Sequence, residues 1–233
     1  MDAHSWSAVS LTIADGPSAT RSTGLLRHGG ARRKRGERSR SLTRYQCQRV
    51  IDAAFAAHDI GRSLNRWITI TWALGGLKGY EGPQATVAFL KRYRDWMRRH
   101  GEKAYWVYSH ETGSLRGIHV HLLLHVPRRL NAEFRRCPLR WTKASLKTSY
   151  VARTLKTRKV TAQQACDGDR GELYEIWLRF KLHYMLKTAS RRTELHLGVC
   201  GWSWIDWGRE SEVLGKRYGC WQGWQKALGT NTL

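Results

Sequence analysis

Gly117-Ile-His-Val-His-Leu-Leu-Leu-His-Val126 is the stretch on which the fold turns. Read as a β-strand, it alternates. Val120, Leu122, Leu124 and Val126 fall on one aliphatic face, which must be core, and His119, His121, Leu123 and His125 fall on the other. A second strand-like segment, Ala104–Glu111, precedes it, and the joining Thr112-Gly-Ser-Leu-Arg116 predicts a β-hairpin. If the chain turns about Leu115, opposed residues have numbers that sum to 230, so Glu111 faces His119 directly and His121 diagonally. Opposed side chains sit about 4.5–5.5 Å apart at Cβ, and His119 and His121 about 7 Å apart along the strand. Two imidazoles and one carboxylate then converge, with positions left for water or phosphate oxygens. A mixed nitrogen and oxygen set without cysteine suits a divalent ion used as a Lewis acid, Mg²⁺ or Mn²⁺ rather than structural Zn²⁺. The competing reading is two polar residues on a half-solvated sheet face. His125, about 13 Å further along, is expected to be structural.

Outward from the hairpin, Arg66-Trp-Ile-Thr-Ile-Thr-Trp72 is β-branched and aromatic, a strand by composition. Helical spacing predicts a helix from Thr43 to about His58, and another after Pro83, where Phe89, Tyr93 and Trp96 face inward and Lys91, Arg94 and Arg98 outward. Residues 128–171 are basic and weakly periodic, with a short helix expected around 142–148 and a loop at Cys166-Asp-Gly-Asp-Arg-Gly171. A longer helix is expected over about Glu172–Ala189. There Leu178, Leu182, Met185 and Ala189 form one stripe, and Trp177, Phe180, Tyr184 and Lys187 form another. Tyr184 and Lys187 read either as an interfacial aromatic with a solvated cation, or as a nucleophile with a cation to assist it and hold a phosphate. The last 40 residues or so are rich in Gly and Trp and strand-like in patches. Short strands between helices with a central hairpin predict an α+β fold, a central antiparallel sheet with helices packed on it and the tyrosine on a helix.

The chain has 233 residues, 41% hydrophobic with 12 Trp, enough to build one core. Forty-one Lys and Arg against 18 Asp and Glu give +23. A fold that basic repels itself unless a polyanion is near, so nucleic acid is the expected partner. Residues 1–41 are rich in Ser, Gly and Arg and are expected to be a disordered basic tail, with residues 42–233 as the folded domain. Nine Lys and Arg and three Asp and Glu put +6 on residues 1–44, leaving +17 on the rest. No run approaches the roughly 18 apolar residues of a spanning helix, and no membrane role is expected. The five cysteines form no CxxC pair, and MDAHSWSAVSLTIADG lacks a basic start and an apolar centre. Both point to a cytoplasmic protein. No GxxxxGK[ST] sequence occurs, which excludes an ATP-driven helicase within this chain.

Taken together, these segments resemble a known family. Gly117-Ile-His-Val-His-Leu-Leu-Leu-His125 resembles the His–hydrophobic–His signature of HUH endonucleases, and Tyr184-Met-Leu-Lys187 resembles their YxxK motif. Trp67-Ile-Thr-Ile-Thr-Trp72 is similar to the strand that precedes both in rolling-circle replication initiators, and Gly215-Lys-Arg-Tyr-Gly219 to a short basic block downstream in plasmid-type members. The order strand, HUH, tyrosine matches the Rep branch, as does a glutamate eight residues before the first histidine. The motif carries one tyrosine, not the pair of some phage initiators.

The resemblance implies an HUH-type, RRM-like sheet and a metal-dependent, site-specific endonuclease and strand transferase. Tyr184 would be its nucleophile and Lys187 its support. Glu111, His119 and His121 would hold the divalent ion. Single-stranded and origin DNA are the implied substrates, with a host replication helicase and polymerase as partners and a homodimer compatible with the chemistry. Backbone contacts are expected among Lys91, Arg94, Arg98, Arg128, Arg129, Arg135, Arg136, Arg153, Lys156, Arg158 and Lys159. Two alternatives stand beside this: a single-tyrosine HUH transposase of a mobile element, and a non-enzymatic basic nucleic-acid-binding protein with aromatic stacking platforms.

Overall fold

A computed structural model describes residues 38–113, 116–160, 171–189, 193, 197 and 212–227. Its strands are β1 (Arg38–Ser39), β2 (Arg66–Thr71), β3 (Trp106–Gly113), β4 (Gly117–Leu124), β5 (Leu155–Lys159), β6 (Val213–Leu214) and β7 (Tyr218–Cys220). Five of them form one antiparallel sheet in the order β5-β2-β4-β3-β7. The short strands β1 and β6 pair beside it. Six helices accompany them among the described residues: α1 (Arg44–Asp59), α2 (Glu81–Arg99), α3 (Asn131–Phe134), α4 (Cys137–Lys143), α5 (Gly171–Met185) and α6 (Trp224–Ala227). The α+β expectation holds.

Local chemistry sets the boundaries. Thr43 caps α1 in a reciprocal box: its hydroxyl accepts from the Gln46 amide at 3.3 Å, and the Gln46 side chain accepts from the Thr43 amide at 3.1 Å. Beyond α1, Gly61 takes the left-handed conformation (φ 69°) that ends helices. Helix α2 begins at Glu81, earlier than Pro83 alone suggests, because a proline is tolerated anywhere in a first turn whose amides lack partners.

The hairpin register is the one that the alternation predicts: Glu111 opposes His119 and Ser109 opposes His121, through to Gly113 opposite Gly117. On the other side of β4, β2 places Thr69 opposite His121 and Trp67 opposite Leu123. Both sheet faces are covered. Helix α2 lies on the face of His110 and Ile118, where Thr86 Oγ1 meets His110 Nε2 at 2.8 Å and Gly82 leaves space for Ile118. Helices α1 and α5 cover the face of Glu111 and the two histidines. They meet through His58 against Tyr174 (ring centroids 4.7 Å) and Arg179 over Phe55 (4.7 Å), while the Trp221 indole donates to the Ala53 carbonyl at 2.8 Å.

Several expectations are corrected. The helix expected at 142–148 forms earlier, as α3 and α4, because Pro138 suits a first turn. Residues 155–159 form an edge strand that the sequence did not signal, since Leu-Lys-Thr-Arg-Lys has no apolar alternation. Pairing starts at Arg38, inside the stretch assigned to the tail, and Ser39 is held by the buried Arg217, whose Nε donates to its hydroxyl at 3.1 Å. Helix α5 ends at Met185, earlier than Ala189. Residues 1–37, the hairpin tip at 114–115 and the acidic loop at 166–170 lie outside the described residues.

His125 is structural in this fold. Its Nδ1–H donates to the Ser63 carbonyl at 2.8 Å, its own carbonyl accepts from the Tyr93 hydroxyl at 2.6 Å, and burial pushes its pKa down. Below its ordinary value of 6.5 the unfolded chain takes a proton that the fold resists, so this group's contribution falls as pH falls through 6.5. His125→Gln, which keeps an amide donor for Ser63, should flatten the pH dependence of urea-unfolding stability in that window, by up to about 1.4 kcal/mol per pH unit. An unchanged slope would count against it.

Candidate metal centre and tyrosine helix

Glu111, His119 and His121 offer ligand atoms that all lie within 4.8 Å of one another. They are 3%, 5% and 2% exposed, so they are not the solvated polar residues of a half-open face. Each is held from outside. His119 Nδ1 lies 2.9 Å from the Gly117 carbonyl, which can only accept, so in the neutral ring Nε2 presents its lone pair to Glu111 Oε2, 3.2 Å away. His121 Nδ1 meets the Thr69 hydroxyl at 2.9 Å, and its ring stacks on Trp67 with centroids 5.2 Å apart. Its Nε2 is 3.8 Å from the same Glu111 oxygen.

The electrostatics ask for a cation. Burial pushes His121 down to about 3, so its ring is neutral near pH 7. Burial also works to raise Glu111. The His119 hydrogen bond and the surrounding positive charges, Lys187 among them, overcome this and hold the carboxyl well below its usual range. With neutral imidazoles, the Lys187 ammonium, 2.6 Å from Glu111 Oε2, is the cation that compensates the carboxylate. Glu111 Oε1 and His121 Nε2 are buried and have no hydrogen-bond partner. Leaving such atoms unmade costs about 1–3 kcal/mol each. An ion coordinated between a carboxylate and two imidazole lone pairs would satisfy both, so this donor set fits a divalent metal.

Helix α5 supplies the rest. Its stripe of Leu178, Leu182 and Met185 is buried, which turns the Tyr184 stripe toward the sheet edge of the cluster. The Tyr184 ring lies 5.0 Å from the His121 ring and 5.8 Å from Trp67, and the Lys187 ammonium sits 3.9 Å from the Tyr184 centroid. Tyrosine, lysine and the three ligands form one cluster.

The expected DNA contacts divide. Lys156 and Arg158 stand opposite Thr69 and Trp67 across β2 and β5, on the metal face, whereas Lys159 points to the other face. Arg153 adopts a left-handed φ of 73° just before β5. Lys91, Arg94 and Arg98 are on α2, which packs on the opposite face. Lys91 and Arg98 pair with Asp95 at 2.8 and 3.2 Å. Arg129 pairs with Glu102 at 2.8 Å, and Arg128, Arg135 and Arg136 are exposed around α3, apart from the cluster. Sequence reasoning missed Thr69, Trp67 and Ser109, which flank His121. The alternation of Trp67, Thr69 and Thr71 along β2 was the available signal.

The fold and the buried Glu/His/His group define an α+β protein built around a site able to hold a metal ion. Residues 65–168 match a family model described as replication-associated protein, of the ORF2 type, and through that stretch the chain is similar to replication-associated proteins. The match takes in β2 to β5 with all three ligands and stops before Tyr184 and Lys187. No curated protein and no solved structure gives a significant match.

Because Lys187 and a metal would share Glu111, Lys187→Ala should bind Mn²⁺ more tightly, by about tenfold or more, while Glu111→Ala should lose binding. Thr69→Val should weaken it roughly 10–100-fold by freeing the His121 ring. Calorimetric titration reads all three, and a Lys187→Ala affinity at or below that of the parent would argue against a shared site.

Proposed function

We propose that this chain is a replication initiator that nicks and rejoins single-stranded origin DNA through a 5′-phosphotyrosine intermediate, starting rolling-circle replication. One observation carries the reading: α5 delivers the Tyr184 ring to 5.0 Å from His121 and the Lys187 ammonium to 2.6 Å from Glu111, so nucleophile, cation and ligand set meet on one sheet face. The similarity of residues 65–168 to replication-associated proteins supports DNA as the substrate.

Glu111, His119 and His121 would hold a Mg²⁺ or Mn²⁺ ion, which when bound supplies Lewis-acid polarisation of the scissile phosphate. The Tyr184 hydroxyl attacks that phosphorus in line. The bond from Tyr184 Oη to phosphorus forms as the bond from phosphorus to O3′ breaks; the phenol proton passes to solvent and the departing oxygen takes one up, leaving a free 3′-OH. Lys187, one helical turn from Tyr184, moves from Glu111 to the phosphate oxygens and neutralises charge that develops there. Rejoining reverses the step without nucleotide, because the phosphotyrosine conserves the bond energy. The 3′-OH can prime a host polymerase. Unwinding falls to a host helicase, since the chain has no GxxxxGK[ST] sequence.

Origin-containing single-stranded DNA incubated with Mn²⁺ should give a covalent adduct that survives SDS. Tyr184→Phe and EDTA should abolish it while salt-sensitive binding persists. His121→Ala should cut its rate by roughly a hundredfold or more. An adduct undiminished in Tyr184→Phe would remove the tyrosine from its role. Binding without an adduct under every condition would favour the non-enzymatic alternative.

A further inference from the structure

The side of α5 leading to Tyr184 is unusually apolar for a surface. Leu173, Ile176 and Phe180 are 55%, 64% and 49% exposed, and with half-buried Trp177 they continue the stripe that ends in Tyr184 and Lys187. The helix does not need these residues for its own packing, since Tyr174, Leu178, Leu182 and Met185 are buried on its other side. A contiguous apolar patch of this kind marks a binding surface.

The charges around the patch say what covers it. The Lys181 ammonium lies 5.4 Å from the Trp67 and Phe180 centroids and 5.8 Å from that of Trp177. Lys156 and Arg158 project from the outer strand β5 on the same sheet face, opposite Thr69 and Trp67. These three cations have no acidic partner among the described residues. An apolar protein partner would leave them uncompensated, whereas a strand of unpaired nucleotides offers bases to the rings and phosphates to the cations.

We infer that this side of α5 is a base-stacking shelf for the unpaired nucleotides next to the scissile phosphate, with Trp177 and Phe180 receiving bases and Lys156, Arg158 and Lys181 holding the backbone. At 1.5 Å rise per residue, Phe180 and Trp177 lie about 6 and 10 Å along the helix from Tyr184, so stacked bases would fix the position of the phosphate before the tyrosine. The inference rests on the reading of Tyr184 as the nucleophile and adds the residues that choose single-stranded over duplex DNA. Stacking tolerates any base, so the shelf selects unpaired character, not sequence.

The test uses the full chain carrying Tyr184→Phe, so that binding is read without cleavage, with a fluorescent oligonucleotide either single-stranded or annealed. Phe180→Ala, and Trp177→Ala with Phe180→Ala, should weaken single-strand binding by about tenfold or more and leave duplex binding nearly unchanged, and Phe180→Tyr should restore it. Lys156→Ala with Arg158→Ala should lower the salt slope by about 1.4, at roughly 0.7 per phosphate contact. Phe180 is exposed, so the melting temperature of its single variant should match the parent. Unchanged single-strand affinity in the Phe180 variants, or equal loss for both DNA forms, overturns the shelf. So does a change of oligomeric state by sedimentation with affinity intact, which would make the face an interface between copies. The same substitutions with Tyr184 restored separate the two ideas. An adduct from the parent together with unaltered binding in the shelf variants removes the shelf alone. No adduct from the parent, with single-strand preference lost in the variants, supports the shelf as a binding surface and removes the tyrosine chemistry beside it.

Discussion

The carboxylate of Glu111 is buried in the middle of a sheet and beneath a helix, and much of this structure answers that one constraint. A lone buried carboxylate would protonate or disrupt the fold. Here it stays ionised because the antiparallel register sets His119 opposite it and α5 extends Lys187 across it at 2.6 Å. That arrangement in turn fixes α5. The helix buries Leu178, Leu182 and Met185, holds Lys187 over the carboxylate, and thereby sets the Tyr184 ring against His121. The tyrosine is positioned by the same ion pair that makes the buried acid tolerable.

The cluster is over-supplied with lone pairs and short of protons. His119 uses its one N–H on the Gly117 carbonyl, and His121 meets Thr69. Their remaining nitrogens both turn toward Glu111, where Lys187 can reach only part of the set. A lysine ammonium donates three hydrogen bonds from the end of a flexible stem, so it can compensate the charge without locking the geometry. A divalent ion would do both. Competition for Glu111 therefore links occupancy of the centre to the freedom of Lys187, and Lys187 sits against the Tyr184 ring.

The centre was legible in the sequence because its geometry is local. A short connection, an aliphatic alternation on β4 and a period of two leave one register that buries Val120, Leu122 and Leu124, and that register opposes Glu111 to His119. The stripe on α5 was legible for the same reason, with a period of 3.6. Features that depend on contacts distant in sequence were not. Nothing in Leu-Lys-Thr-Arg-Lys marks an edge strand, because an exposed edge needs no apolar face and its lysines discourage other strands from pairing. The burial of the histidine face depends on α5, more than fifty residues further along the chain. Gly215-Lys-Arg-Tyr-Gly219 read as a basic block, yet Arg217 is buried and ties Ser39 to the fold, and the Lys216 carbonyl accepts from His110 at 2.9 Å. Charge in a sequence does not say which cations reach solvent.

That distinction also sharpens what a net charge of +23 means. On α2 the cations are partly engaged within the helix, Lys91 and Arg98 both with Asp95, and surface pairs of this kind contribute little beyond offsetting local repulsion. On the face that carries Glu111, His119, His121 and Tyr184, Lys156, Arg158 and Lys181 have no acidic partner among the described residues, and they border exposed aromatic and aliphatic side chains. Solubility alone would be served by cations anywhere on the surface. Their gathering at one sheet edge, beside rings and at the approach to a buried metal-ligand set, puts positive potential where a polyanion would have to lie for the tyrosine to reach its phosphate.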